Sequence, residues 1–181
     1  MALSRWLDVL VQWNAKMDLT AARSIEELVD LMIADACAIS PSIPMGANIV
    51  DVGTGAGAPG LALALLRPDL KVTLVEPLVK RVSFLRTVLG TVNRSDVTVQ
   101  RARLDELENS AWDVAVSRAT LAPEQWLREG LRIAKRVGVL LAREASPVVQ
   151  GTSMTVHLEY AWPLTHAMRT FVVYERVLLA T

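Results

Sequence analysis

Residues 48–63 read NIVDVGTGAGAPGLAL, and no other stretch of the chain restricts its fold so sharply. A short apolar run ends at Asp51-Val52, three glycines follow at alternate positions, and Pro59 opens a run of leucines and alanines. That order is strand, tight turn, helix. Gly53, Gly55 and Gly57 let the backbone turn and approach a ligand with no Cβ in the way, and Gly60 suits close packing of the helix on the strand. In an open α/β sheet such a turn lies at the carboxyl edge of the strands, where ligands bind. An acid, Glu76, ends the next apolar run, twenty-five residues beyond Asp51. Its place suits hydrogen bonds to both hydroxyls of a ribose.

The rest of the chain supports an alternating pattern. Apolar strands are expected at 71–76, 96–100, 112–117 and 137–142, with helices at about 59–66, 78–90 and 122–136 between them. Strands alternating with helices imply right-handed crossovers and a parallel sheet covered on both faces. Two further strands, 154–160 and 168–177, have no helix between them and are expected to pair antiparallel. Ahead of the sheet, residues 2–40 carry a helical pattern, with Leu3, Trp6, Leu7, Leu10, Trp13 and Met17 on one face. A second helix is expected from Ile25 to Ile39, with Ser24 and Glu27 as a capping box and Pro41 and Pro44 as its stop. The expected organisation is one domain over 1–181, with an N-terminal helical cap (1–44) and an α/β core (45–181). The fold class is α/β and Rossmann-like, with a seven-stranded, mostly parallel sheet that ends in an antiparallel hairpin.

Composition narrows the partners. Nineteen basic and nineteen acidic side chains cancel, so no global field draws the chain to nucleic acid or membrane, although a local basic patch still could. Fifteen of the nineteen basic residues are arginine, the better side chain for forked contacts to phosphate or guanine. The single Cys37, on an apolar helix, is expected to be a small core residue, and no Cys/His set has the spacing of zinc ligands. Asp8 and Gln12 interrupt any signal-peptide core, and no apolar run nears the ~20 residues of a membrane span. A cytoplasmic monomer with no metal and no membrane contact is the expectation.

The glycines alone satisfy two fingerprints. Gly55-Ala-Gly57-Ala-Pro-Gly60 has the G-x-G-x-x-G spacing of a dinucleotide loop, and Asp51-Val-Gly53-Thr-Gly55-Ala-Gly57 that of an S-adenosylmethionine loop. Asp51 separates them. A carboxylate there is unhelpful beside a pyrophosphate but favourable beside the amino group and sulfonium of S-adenosylmethionine. Helices ahead of the glycine strand also count against a dinucleotide fold, so a class I methyltransferase fold is favoured.

The ordered set DVGTGAGAPG, TLVEPLVKRVSFLRTV, RARLDEL and VSRA, with QWNAKMDLTAARSIEELV upstream, resembles the GidB/RsmG family of bacterial rRNA methyltransferases. The similarity runs from about Trp6 to Ala142. It implies methylation of guanine N7 in 16S rRNA, free or in the small ribosomal subunit, with S-adenosylmethionine as donor. By this resemblance Gly53 and Ala58 contact the cofactor and Glu76 is the ribose acid. Leu104 and Asp105 meet the adenine, Arg118 stands at the reaction edge as the catalytic candidate, and Arg103 matches another arginine typical of the family and is a second substrate candidate. The chain departs from the family pattern at three motifs: Met32 replaces a histidine, although Asp35 remains; Asp18 replaces an asparagine; and Ala142-Arg143-Glu144 stands where the family has Leu-Lys-Gly. The family also usually has a longer N-terminal helix and a helix between the fifth and sixth strands, for which EASPVVQGTSM leaves little room. A methyltransferase with another acceptor, or an inactive donor-binding protein, are the alternative readings.

Methyl transfer in line from a sulfonium demands mainly alignment. Guanine N7 has a lone pair and no proton, so no general base is required. His157 and His166 lie far along the chain from every motif and are expected to be structural or surface residues. Arg118 is expected to touch the acceptor or, failing that, to pair with Asp51, Glu76 or Asp105. Trp6 and Trp13 are expected in the core.

Overall fold

The computed structural model describes residues 1–177. The chain begins with α1 (Ala2–Asn14), followed by α2 (Ile25–Val29) and α3 (Asp35–Ile39), which are joined by a π-helical turn at Asp30–Ala34. Then come β1 (Asn48–Val52), α4 (Gly60–Leu66), β2 (Lys71–Val75), α5 (Val79–Val92) and β3 (Thr98–Gln100). After them are β4 (Trp112–Arg118), α6 (Pro123–Ile133), β5 (Ala134–Leu141), β6 (Thr152–Ala161) and β7 (Met168–Arg176). The seven strands form one sheet in the order β3-β2-β1-β4-β5-β7-β6. β1 to β5 pair parallel, while β7 runs antiparallel between β5 and β6. The order reverses between β1 and β4, which makes their carboxyl ends the topological switch point.

Alternation along the strands divides the core between two faces. Ile49, Leu74, Val114 and Phe171 pack with residues of α1 to α5, and Val50, Val52, Ala115 and Val172 pack with α6 and the segment around Leu107. Burying about twenty-five calories per Å² of apolar surface makes these two layers the main stabilising term. The N-terminal helices belong to the first layer. Trp6 is fully buried, and its indole N–H donates to Ala56 O at 3.1 Å, tying α1 to the glycine loop. Trp13, partly buried, meets Phe84 of α5 edge-on at 5.7 Å.

Several boundaries differ from expectation. Residues 15–24 are not helical; Asn14 Oδ1 accepts from the amides of Leu19 and Thr20 and closes that loop instead. Ser24 caps α2 as expected, accepting from Glu27 N at 3.1 Å, but the reciprocal Glu27 bond goes to the Arg23 amide rather than to Ser24. α6 ends three residues early, because Ala134 is already extended. Lys135 and Arg136, which look like the surface of a helix, make strand-borne ion pairs with Asp113 at 2.8 Å and Glu175 at 2.7 Å. Cys37 is exposed rather than in the core, since the π turn shifts which residues of the run face inward. No helix among the described residues is long and apolar enough to cross a membrane, and none of their His, Cys, Asp and Glu side chains cluster as a metal site.

Candidate active site

The expected site residues all come to the carboxyl edge of the sheet. The loop after β1 holds Gly53, Gly55, Gly57 and Ala58, and Glu76 ends the β2 segment beside it. Arg103, Leu104 and Asp105 form the turn after β3, and Arg118 ends β4.

Asp51 organises the loop from beneath. It is fully buried, and its Oδ2 accepts from Thr54 Oγ1 at 2.6 Å and from the Gly60 amide at 2.8 Å. Oδ1 is buried with no hydrogen-bond partner among the described residues. Burial pushes the carboxyl up to about 6, against the lowering effect of Thr54, Gly60 and the Arg118 charge. Gly60 is needed for this arrangement, because a Cβ there would lie 2.5 Å from Asp51 Cβ. Gly53, at φ +70°, is pressed against Thr120, whose Oγ1 would be 2.5 Å from an added Cβ. Gly55 has φ +60°, and an added Cβ there would meet only Gly53 O, at an ordinary contact distance of 3.9 Å.

Glu76 is nearly inaccessible, with Oε2 accepting the Gly55 amide at 3.1 Å and Oε1 the Leu78 amide at 3.0 Å. Arg81 stands 3.8 Å from Oε2. Each oxygen retains a second lone pair, which fits a carboxylate that receives two ribose hydroxyls. Asp105 and Arg103 are exposed, and Leu104 is half-buried. Arg132, which the sequence did not point to, donates to Leu104 O at 2.7 Å and Leu107 O at 2.8 Å and so fixes this turn from α6. The open Gly55 face, the Glu76 lone pairs and the unpartnered acceptor on Asp51 suit a ligand with a ribose and a cationic amino group. S-adenosylmethionine has both.

Arg118 is paired, but with none of the three acids expected. Its Nη1 donates to Leu31 O and to Asp35 Oδ2, the latter at 3.3 Å, because β4 delivers it against the α2–α3 run. Asp35 is buried and also accepts from Tyr160 Oη at 2.8 Å and Trp162 Nε1 at 2.6 Å. Burial and the Asp35 charge push the Tyr160 phenol up. Beyond Arg118 lies a cavity of about 260 Å³, lined by Thr120, Leu140, Glu144, Trp162 and Arg169 among others. Met32 lies in the apolar core and does not reach this cavity; His157 and His166 are exposed.

The geometry is therefore a ligand loop on β1 and β2 with a second cavity beside it at β4 and β5. Known proteins resemble this chain in sequence and in fold. Ribosomal RNA small subunit methyltransferase G of Halorhodospira halophila is 39% identical over 130 residues, which are 72% of this chain and 61% of that protein. The protein of the same name from Acidothermus cellulolyticus is 33% identical over 154 residues, 85% of this chain and 69% of that protein. The chain thus spans about two thirds of the length of these relatives. A crystal structure of an S-adenosylmethionine-dependent methyltransferase from Aquifex aeolicus superposes with a TM-score of 0.56 at 16% identity, covering 83% of this chain and 92% of that one. That likeness is one of fold, the class I methyltransferase fold. Residues 1–148 match the GidB family, rRNA small subunit methyltransferase G, and the chain belongs to that family.

Proposed function

We propose that this chain transfers the methyl group of S-adenosylmethionine to N7 of a guanine in 16S rRNA, acting as a cytoplasmic monomer on free rRNA or on the small subunit. The observation that carries the donor half is the buried, unpartnered Oδ1 of Asp51 beneath a loop whose Gly55 amide is bonded to Glu76. When bound, the donor supplies an electrophilic methyl on a sulfonium. Glu76 would hold the ribose hydroxyls, Leu104 and Asp105 the adenine, and the backbone at Gly53 and Ala58 the chain between them. Asp51 would face the cationic amino group.

The acceptor half rests on alignment. Guanine N7 has no proton to lose, and no basic side chain is needed beside it. Only Nη1 of Arg118 is hydrogen-bonded among the described residues, so its remaining N–H groups can meet guanine O6 next to the reacting nitrogen. Arg103, exposed at the same edge, would contact phosphate. The test is to incubate the chain with tritiated donor and 16S rRNA or small subunits and map the label. Label on guanine N7, absent with Gly53→Asp, is expected; no label on that atom would overturn the proposal.

A further inference from the structure

We infer that the cavity beyond Thr120 is a pocket for one guanine base, stacked on the Arg169 guanidinium and recognised along its N1–H and N2 amino edge by the Glu144 carboxylate. This inference rests on the guanine methyltransferase reading and names the residues that would select the base.

Arg169 is held as a flat platform. Its guanidinium carbon lies 3.8 Å from the centroid of the Trp162 ring, and its Nη1 donates to Met168 O at 2.8 Å. Trp162 is itself fixed, buried and bonded to Asp35, so it cannot swing out to stack a base. One face of the guanidinium is covered by the indole. The other serves a base, since unstacked bases pack on arginine planes as well as on aromatic rings.

Glu144 supplies the selection. It stands at the third position of the Ala142-Arg143-Glu144 segment, where the chain departs from the family pattern. Its Oε2 accepts from the amides of Ala142 at 2.9 Å and Arg143 at 3.0 Å, while Oε1 has no hydrogen bond among the described residues. The amides of this turn, with the Arg169 charge, hold the carboxyl below its ordinary value, so it is an acceptor at neutral pH. A carboxylate accepts and never donates. It matches the adjacent N1–H and N2 amino donors of guanine. Adenine and cytosine present a ring-nitrogen acceptor beside their amino group, and uracil places one N–H between two carbonyls.

Strand order gives the direction. From the ligand loop outward the sheet runs β1, β4, β5, β7, so the β5 loop that carries Glu144 is two strands from the glycine loop. At 4.7–4.9 Å per strand that is about 10 Å. Guanine carries N7 and its N1/N2 edge at opposite ends, so a base gripped by Glu144 turns N7 toward Thr120, which touches Gly53. The same contact that selects guanine would therefore aim the reacting atom at the donor.

The test is titration calorimetry of the full chain with guanosine, inosine and adenosine 5′-monophosphates. Inosine lacks only the 2-amino group. The wild-type protein is expected to bind the guanosine nucleotide about tenfold or more tightly than either of the others, the usual scale for one paired base edge. Glu144→Gln can still accept the Ala142 and Arg143 amides but offers an amide donor to a donor edge, and is expected to lose that preference. Arg169→Ala is expected to weaken all three nucleotides while keeping their order. Equal binding of guanosine and inosine nucleotides by the wild type, no binding of any, or an unchanged preference in Glu144→Gln would overturn the inference. Because no methyl transfer is involved, guanosine preference without rRNA labelling would refute the proposed reaction and leave the pocket standing. Labelled rRNA without that preference would do the reverse.

Discussion

Asp51→Asn is the substitution that separates what the glycine loop costs the fold from what it gives the ligand. The carboxyl is fully buried, and burial pushes it up from 3.8 to about 6. The native state therefore holds this proton more tightly than the unfolded chain does. The associated stability is complete below about pH 3.8 and is lost as pH rises through about 6, a change of about 3 kcal/mol at 1.36 kcal/mol per pH unit. Asparagine keeps an oxygen for Thr54 and Gly60 but has nothing to titrate. Urea unfolding of both proteins between pH 4 and pH 7.5 should thus give a difference curve that rises in favour of the variant by about 2 kcal/mol, the part of that change lying above pH 4, mostly between pH 4 and 6. Taking the difference cancels the other titrating groups. The same variant should bind S-adenosylmethionine more weakly at pH 7.5, because a neutral amide no longer faces the donor's amino group. A flat difference curve would refute the reasoning, since it would mean that the carboxylate is solvated or paired in the native state.

Two further substitutions probe the walls of the site. Asp35→Ala removes the acceptor of Tyr160, Trp162 and Arg118 at once and should cost about 3–5 kcal/mol in urea unfolding, as expected for breaking a buried ion pair; a loss under about 1 kcal/mol would contradict the buried network. Gly57→Ala places a Cβ 2.9 Å from Leu61 Cβ and 3.2 Å from Trp6 Cζ2 at φ +109°, and should lower stability by about 1–3 kcal/mol in a denaturant titration followed by tryptophan fluorescence; an unchanged midpoint would show that α1 does not clasp the loop.

The build of the glycine loop was legible in the sequence because its contacts are local. Asp51 binds Thr54 and Gly60, three and nine residues away, and Glu76 reaches Gly55 across twenty-one. Spacing within a strand–turn–helix unit is enough to place such groups. The expected helix packing of Gly60 holds for the same reason. Arg118 shows the limit: its position at the end of β4 could be read from VSRA, but its partner Asp35 is eighty-three residues away and depends on how α2 and α3 lie over the sheet. The exposure of Cys37 and the early start of β5 were hidden for a different reason. A π turn and a helix that passes straight into a strand both leave the apolar periodicity intact while shifting the register beneath it. Arg132 gave no signal at all, since a cation near a helix end is ordinary until the turn it holds is seen.

The cavity side is built on that longer-range logic, and the π turn explains how. In an α-helix, residues five apart point about 140° away from each other. The wider turn at Asp30–Ala34 brings Asp30 and Asp35 round toward the same neighbour, the β6–β7 hairpin. Asp30 accepts the Thr165 amide at 2.7 Å and the Thr165 hydroxyl at 2.8 Å, while Asp35 takes Tyr160 and Trp162. These bonds join segments 125 to 135 residues apart. They also fix Trp162 under Arg169 and Arg118 against Asp35, so both walls of the cavity exist only once the N-terminal helices and the terminal hairpin have met. The ligand loop needs no such meeting, for its bonds close within one strand–turn–helix unit and the strand beside it. The glycine loop and the cavity therefore depend on parts of the fold with different contact ranges, so under the proposed reaction a change in the hairpin or the π turn would alter the acceptor side without touching the loop proposed to hold the donor.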